Sequence, residues 1–122
     1  MTLPQPTRFK LVFYVPKENL EACKTAVFQA GGGTFPGGKY EQCSFESPGT
    51  GQFLPVADKG ANPTIGQKKE DGSGEYRVEK VEEIRCEIMC VGRDVAQKAV
   101  DALKRAHPYE EPAYEVYKME GF

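Results

Sequence analysis

The stretch RFKLVFYVPKENLEACKTAVFQAGGG (Arg8–Gly33) indicates the fold, because its apolar pattern changes from strand to helix within one short segment. Its first eight residues are rich in aromatic and aliphatic side chains and predict a strand. Pro16 then suits the first turn of a helix, where a missing N–H costs nothing. Four apolar residues follow at helical spacing: Leu20, Cys23, Val27 and Ala30. The three glycines after them predict the end of the helix, since glycine takes the left-handed terminal conformation easily.

The second half of the chain repeats this order and adds a further strand. YRVEKVEEIRCEIMCV (76–91) predicts a strand, and GRDVAQKAVDALKRAH (92–107) predicts an amphipathic helix with Asp94 as its N-cap. AYEVYKME (113–120) predicts the closing strand. The apolar pattern of the first of these segments changes phase near Glu82, which predicts a bulge or break there. Alternate residues share one apolar strand face, Ile84, Cys86, Ile88 and Cys90, and the helix stripe consists of Val95, Ala99, Leu103 and Ala106.

The segment between the two halves is predicted as a strand pair followed by a loop. KYEQCSFE (39–46) alternates in polarity, SPGTG (47–51) is typical of a turn, and QFLPV (52–56) predicts a second short strand. These three pieces together predict a hairpin. The polar run ADKGANPTIGQKKEDGSGE (57–75) predicts a loop.

The predicted order is strand, helix, strand pair, strand, helix, strand. Strand–helix–strand therefore occurs twice, which is typical of an α+β, ferredoxin-like (split βαβ) fold. We expect an antiparallel sheet with two helices on one face and an inserted hairpin. Apolar residues fall on both faces of the first strand, from Leu11 to Val15, so we expect the second face to be buried in an oligomer.

Length and composition exclude several classes of protein. The chain has 122 residues and a formal net charge of −2, which is not the basic footprint of a nucleic-acid-binding protein. No apolar run approaches the length of a membrane span, and the start lacks the pattern of a signal peptide. We expect a flexible N-terminal tail at residues 1–7 and a single domain at 8–122. The four cysteines are expected to be reduced thiols in a cytoplasmic protein.

Two patterns that suggest sites are weak. GTFPGGK (Gly33–Lys39) matches the start of a phosphate-binding loop, but Tyr40 stands where Ser or Thr would hold magnesium, and the segment leads from helix into strand. Cys86 and Cys90 are four residues apart on a strand, about 13 Å, which is too far for one zinc ion. We therefore expect Cys23, Cys86 and Cys90 to be small core residues.

The stretch HPYEEP contains the one histidine of the chain. Pro108 disfavours helix at His107, so one interpretation is structural: the histidine ends the second helix and turns the chain into the closing strand. The other interpretation is a metal site formed by His107, Glu110 and Glu111. Neighbouring residues of an extended chain point in opposite directions, so such a site would need ligands from another subunit.

Four blocks carry a resemblance to a known family: GGKYEQCSFESPGTGQFLP, GANPTIG, VEKVEEIRCEI and ALKRAHPYEEPAYEVY. They resemble the inserted domain of the NGG-one-interacting factor three family, also called GTP cyclohydrolase type 2-like proteins. HPYEEP is also similar to a motif of CutA-type divalent-cation tolerance proteins. The resemblance covers about Phe9 to Glu120 and implies a PII/CutA-like fold and a homotrimer.

The resemblance also limits the expected activity. Full-length members of the family carry this domain between two lobes that hold a histidine- and glutamate-rich two-metal site, and one histidine cannot build that site. The chain resembles a stand-alone version of the insert, which implies that the family's enzymatic label does not transfer.

We therefore expect a non-enzymatic, oligomeric regulatory or small-ligand-binding module. It would have no catalytic residues, no certain cofactor, and no nucleic-acid or membrane partner. In a trimer, loops would meet at subunit clefts, and the expected ligand-facing residues are Gly37, Gly38, Tyr40, Cys43, His107 and Glu110. One alternative is a copper- or zinc-binding tolerance protein that uses His107, Glu110 and Glu111. The other is a protein-interaction adaptor that uses the loop KKEDGSGEY (68–76).

Overall fold

A computed structural model describes residues 6–122. Within them the chain forms a four-stranded antiparallel sheet in the order β2-β3-β1-β4, with two helices packed on one face. The elements in chain order are β1 (Arg8–Pro16), α1 (Leu20–Gln29), β2 (Phe45–Phe53), β3 (Glu79–Val91), α2 (Arg93–Ala106) and β4 (Tyr114–Met119). Short 3-10 turns at Lys17–Asn19 and Ala57–Lys59 precede α1 and follow β2. The predicted α+β, ferredoxin-like fold is confirmed.

The core lies between the helices and the sheet, and the predicted apolar faces form it. Cys86, Ile88 and Cys90 are buried there beside Leu20 and Val27, and Ile84 packs against them. Burial raises the pKa of the thiols of Cys23 and Cys90 to about 11 and that of Cys86 to about 12. These cysteines are core residues, as predicted, and are protonated at neutral pH.

The predicted hairpin at residues 39–56 is wrong. Phe45–Phe53 is one continuous strand that pairs along its whole length with β3, and residues 39–44 are irregular. The presumed turn SPGTG lies in the middle of β2. Because β2 is an edge strand, Pro48 can lack its N–H there without breaking a ladder on both sides. A small hairpin does occur later, where Lys68 bridges to Tyr76 within the segment predicted as loop.

The predicted break near Glu82 is also wrong. The register between β2 and β3 runs without interruption from Phe45↔Glu87 to Phe53↔Glu79. β1 pairs with β3 only as far as Glu83, so residues 79–82 extend beyond the end of β1. The apolar pattern changes phase there because this part of the strand has one neighbour and is not held to the core.

The ends of both helices differ from the sequence prediction. The N-cap of α2 is Gly92, not Asp94, and its φ of 93° is a backbone conformation that favours glycine. Asp94 lies in the first turn, where its charge favours the helix dipole. Three residues of the first predicted helix, 17–19, form a 3-10 turn instead.

The N-terminal residues are described only in part. Residues 1–5 of the predicted tail lie outside the described residues, while the carbonyl of Thr7 accepts a hydrogen bond of 2.7 Å from the backbone N–H of Gly92. Across residues 6–122, no helix combines the length and the apolar content that a membrane crossing requires.

Candidate functional site

A cleft of about 700 Å³ lies beside the end of β2, between the following loop and the segment that joins α2 to β4. Its walls are mainly apolar and include Phe53, Leu54, Val56, Pro63, Ile65 and Tyr109. Its polar lining consists of Gln52, Lys59, Thr64, Glu83, Glu110 and Glu111. A mainly apolar concavity of this size with a few polar groups is typical of small-ligand sites.

Contacts between two distant parts of the sequence fix the two walls of the cleft relative to each other. The hydroxyl of Thr64 donates a 2.7 Å hydrogen bond to the carbonyl of Pro108, and the N–H of Asn62 donates a 3.0 Å bond to Glu110 Oε1. The rings of Phe53 and Tyr109 lie 6.0 Å apart between centroids. The loop after β2 is thus fixed against the HPYEEP segment, which forms one wall of the cleft.

His107 is 6% exposed and fixes the backbone at the end of α2. Its Nδ1 accepts a 3.1 Å hydrogen bond from the N–H of Tyr109, so the ring proton belongs on Nε2. Nε2 then donates to the carbonyl of Tyr14 at 2.7 Å. Burial lowers the pKa of the imidazole, and the bond to Tyr14 offsets part of that effect. The structural interpretation of His107 accounts for both ring nitrogens.

Glu83 lies at the wall of the cleft, on the part of β3 that faces β2. Its carboxylate lies over Gly51, where an added Cβ would overlap Glu83 Oε1 and approach its Cδ to 2.7 Å. Burial raises the pKa of this carboxyl above its ordinary value. The same side chain borders a second, smaller pocket of about 220 Å³ formed mainly by residues 47–51 of β2.

The hydroxyl of Tyr109 is buried and has no hydrogen-bond partner among residues 6–122. Burial raises the pKa of this phenol, and the nearby charges of Glu83 and Glu18 add to the effect. Buried polar groups in folded proteins are nearly always hydrogen-bonded. The Tyr109 hydroxyl is therefore a buried polar group that the described protein atoms do not satisfy, and it lies near enough to Glu83 for that charge to act on it.

The residues of the predicted metal site are partly engaged within the chain. Both nitrogens of His107 bond to backbone groups, and Glu110 accepts the N–H of Asn62. Among residues 6–122 no group of three or more His, Cys, Asp or Glu side chains is placed to hold a metal ion. Metal binding by His107, Glu110 and Glu111 remains a prediction, and it would require His107 to give up one of its hydrogen bonds.

The six predicted ligand-facing residues fall into two groups. Gly37, Gly38, Tyr40 and Cys43 belong to the irregular segment after α1, which is anchored by a 2.8 Å hydrogen bond from the N–H of Gly33 to the carbonyl of Met89. Met89 pairs with Lys10 of β1, whereas His107 bonds to Tyr14. Four strand residues, about 13 Å, separate the two anchor points. A joint cluster would have to form between subunits, and it remains a prediction.

The sheet face opposite the helices carries a polar network. The hydroxyl of Tyr14 donates to Glu115 at 3.0 Å and accepts from Arg85 at 3.2 Å. Arg85 also bonds to Glu87, which pairs with Lys10, and Tyr117 bonds to Glu115. Val12 lies among these side chains and is only 1% exposed. The expected apolar second face is therefore mostly a charged one.

Sequence reasoning missed most of the cleft. Of its lining residues, only Glu110 and Glu111 were predicted as site residues, and nothing in the sequence marked Glu83. Tyr109 lies in the HPYEEP motif between His107 and Glu110, and this is the one local signal that pointed to it. The rest of the lining comes together through long-range contacts, namely the pairing of β2 with β3 and the hydrogen bonds of Asn62 and Thr64 to the segment after α2.

The sheet order, the helices on one face and the cleft beside β2 define a ferredoxin-like domain of the PII and CutA kind. Solved structures with this fold include CutA1 of Ehrlichia chaffeensis (TM-score 0.60, 14% identity, 98% of this chain and 87% of that chain). GlnK of Bacillus subtilis is another (TM-score 0.54, 17% identity, 93% and 85%). At these identities the likeness concerns the fold alone.

Sequence similarity identifies a closer group of relatives. The chain is 44% identical over 110 residues to the GTP cyclohydrolase 1 type 2 homolog of Mycobacterium tuberculosis, covering 90% of this chain. It is 32% identical to a Bacillus cereus protein related to NIF3, with a TM-score of 0.74 over 99% of this chain and 28% of that chain. No protein-family model matches.

The chain spans about a quarter of the length of the curated relatives it matches, 26% in the mycobacterial case. The predicted resemblance to the NGG-one-interacting factor three family is thus confirmed, as homology to one segment of its members.

Proposed function

We propose that this chain is a non-enzymatic, oligomeric regulatory module that binds a small ligand in the cleft between loop 54–66 and segment 108–113. The cleft itself carries the proposal. Its volume of about 700 Å³ lies within the usual range for small-molecule sites, and its lining combines apolar walls with a few polar groups. Its two sides are joined by hydrogen bonds, so the site is already formed before a ligand arrives.

The state of the reactive side chains supports a binding role over a catalytic one. The imidazole of His107 is neutral, buried and hydrogen-bonded at both nitrogens, so it has no free nitrogen for proton transfer. The buried thiols of Cys23, Cys86 and Cys90 have raised pKa values and are poor nucleophiles at neutral pH. We expect incubation with GTP to yield no hydrolysis product, and a turnover that scales with protein concentration would contradict this part.

The oligomeric part rests on the sheet face opposite the helices. On this face Phe45 is 64% exposed and Tyr117 is 50% exposed, on the two edge strands that flank the polar network. Exposed aromatic side chains are enriched where protein surfaces meet, as is arginine, which the polar network contains. We expect a homotrimer, and light scattering that gives a monomer mass at micromolar concentration would contradict it.

Amide NMR spectra tested against a library of small molecules would test the cleft directly. We expect binders to shift the amides of 54–66 and 108–113 together. Ala61→Trp, which places a large side chain at the cleft wall, should abolish these shifts. Ala22→Trp, at an exposed position of α1, is the matched control and should leave them unchanged. Binders that shift other regions only, or that are insensitive to Ala61→Trp, would contradict the proposal.

A further inference from the structure

The side chains that line the cleft carry more negative charge than positive charge. Three carboxylates line it, Glu83, Glu110 and Glu111, against the single basic side chain of Lys59 among the described lining residues. Glu110 is held by the N–H of Asn62 and serves to fix the wall. The cleft therefore has a negative potential, which disfavours phosphates and carboxylates and favours cations.

Of the three carboxylates, Glu83 is the one that is partly buried and has no positive charge beside it in the part of the chain that the structure describes. The ion pairs found among residues 6–122 leave it without a cationic partner. Burial is the cause of its raised pKa, so no neighbouring cation holds the carboxylate in its charged form. A partly buried carboxylate is unfavourable unless it is paired, and a cation arriving at the cleft would pair it.

The chain holds Glu83 in this position by means of Gly51. The carboxylate occupies the space that any larger residue at position 51 would need for its Cβ. The hydroxyl of Tyr109 also lacks a partner, and its charge environment includes Glu83. A buried hydroxyl without a partner and a carboxylate without a cation thus line one cleft whose walls are otherwise mainly apolar.

We infer that the cleft takes a small organic cation, an ammonium group on an apolar body, with the Glu83 carboxylate as its counter-ion. This inference rests on the proposed ligand-binding function and adds the chemical class of the ligand. The apolar body would lie against Phe53, Val56 and Ile65, while the charged group would reach Glu83 at the β2–β3 end. The same charges disfavour nucleotides and other polyanions.

The test uses pairs of probes that have similar apolar bodies and head groups of opposite charge. 2-Phenylethylamine and 3-phenylpropionate have bodies of similar size, as do hexylamine and hexanoate. Each is titrated into the full chain near neutral pH while amide shifts are recorded. We expect both amines to shift the amides of 54–66, 83 and 108–113, and to bind at least fivefold more tightly than the matching carboxylates.

Two variants test whether Glu83 causes the preference for amines over carboxylates. Glu83→Gln keeps the shape and removes the charge, and Gly51→Ala keeps the charge but displaces the carboxylate; each should weaken amine binding at least fivefold. Glu82→Gln, at the neighbouring exposed position, is the control and should have no effect. Unchanged amine affinity in both Glu83→Gln and Gly51→Ala would overturn the inference.

The remaining outcomes separate the ligand class from the proposed function. If the carboxylates bind the cleft as tightly as the amines, the ligand class is overturned while small-ligand binding in the cleft is supported. If none of the four probes shifts the amides of the cleft, the ligand class is contradicted; the binding function is contradicted only if the library screen with Ala61→Trp also fails.

Discussion

The carboxylate of Glu83 lies in the space that the absent Cβ of Gly51 leaves on the facing strand. Gly51 pairs with Val81 and is therefore two residues along the ladder from the position opposite Glu83, which is Gly49. The side chain of Glu83 thus leans along β2 towards the cleft. The arrangement depends on a glycine near the end of an edge strand, where glycine is otherwise unfavourable by roughly 0.5–1 kcal/mol relative to alanine.

Gly51→Ala should move the Glu83 carboxylate without unfolding the chain. The atom in the way is the free end of a flexible side chain, and alanine suits a strand better than glycine. We therefore expect the free energy of unfolding to change by no more than about 1 kcal/mol. The pKa of Glu83 should fall towards its ordinary value as the carboxylate reaches solvent, which a carboxyl ¹³C NMR titration would record. Gly49→Ala is the control, since a Cβ there meets nothing within 4 Å.

The raised pKa of Glu83 predicts how stability depends on pH. In the folded chain this carboxyl binds its proton more tightly than in the unfolded chain, so stability falls as pH rises through the window between the two values. The Glu83→Gln variant has no carboxyl at this position, so its stability does not fall in this way as pH rises. We expect urea denaturation to find the variant more stable than the parent at neutral pH, with the difference shrinking as pH falls through that window towards the ordinary glutamate value. An advantage that stays constant with pH would contradict the burial of this charge.

The pKa shift of His107 predicts the opposite dependence of stability on pH. Burial lowers the pKa of its imidazole below the ordinary value of 6.5, so the unfolded chain binds a proton more readily. Its contribution to stability is present above that value and is lost as pH falls towards the folded pKa. A proton on Nδ1 would also remove the bond from the N–H of Tyr109.

His107→Ala should cost about 2–4 kcal/mol of stability at neutral pH, because it leaves two backbone groups without their partner and opens a small cavity. Denaturation followed by circular dichroism would measure it. The difference from the parent should narrow in acid. Arg105→Ala, at an exposed position one residue before the helix end, should change stability by less than about 0.5 kcal/mol.

Features of the fold were predicted correctly where the sequence pattern that encodes them is local. The core face of β3 was predicted because Ile84, Cys86 and Ile88 alternate within five residues, and alternation is enough to define a buried strand face. β2 was missed because Pro48 and its neighbouring glycines are typical of turns. An edge strand tolerates them, but its place at the edge is set by pairing with β3, which no local pattern encodes.

The cleft was missed for a related reason. Its two sides are brought together by Thr64 bonding to Pro108 and by Asn62 bonding to Glu110, over 44 and 48 residues of sequence. The HPYEEP motif was recognised as a distinctive block, yet the sequence did not reveal that it would face the loop after β2. Its metal and structural interpretations were both open until the hydrogen bonds of His107 were known.

Calorimetry with copper and zinc would test the metal interpretation of the HPYEEP segment. Because both nitrogens of His107 already bond to backbone, we expect any heat of binding to be unchanged in Glu111→Gln, whose side chain is exposed, and in His107→Ala at a temperature where that variant stays folded. A site that is lost in both variants would contradict this expectation and establish His107 and Glu111 as ligands. Circular dichroism of the same samples would check that each variant is folded.

Phe45→Glu should weaken the proposed trimer. Phe45 lies opposite Glu87 on the sheet face that lacks helices, and it is 64% exposed, so the substitution changes little within one chain. In an oligomer that buries this face, a charge at position 45 would be desolvated next to Glu87 and would be repelled by it. We expect light scattering to give a lower average mass for the variant at micromolar concentration, with an unchanged circular dichroism spectrum. Phe35→Glu, at a partly exposed position of the loop after α1, is the matched control and should keep the parent mass. If Phe45→Glu keeps the parent mass and Phe35→Glu lowers it, the contact surface is the loop after α1 instead of the open face of the sheet.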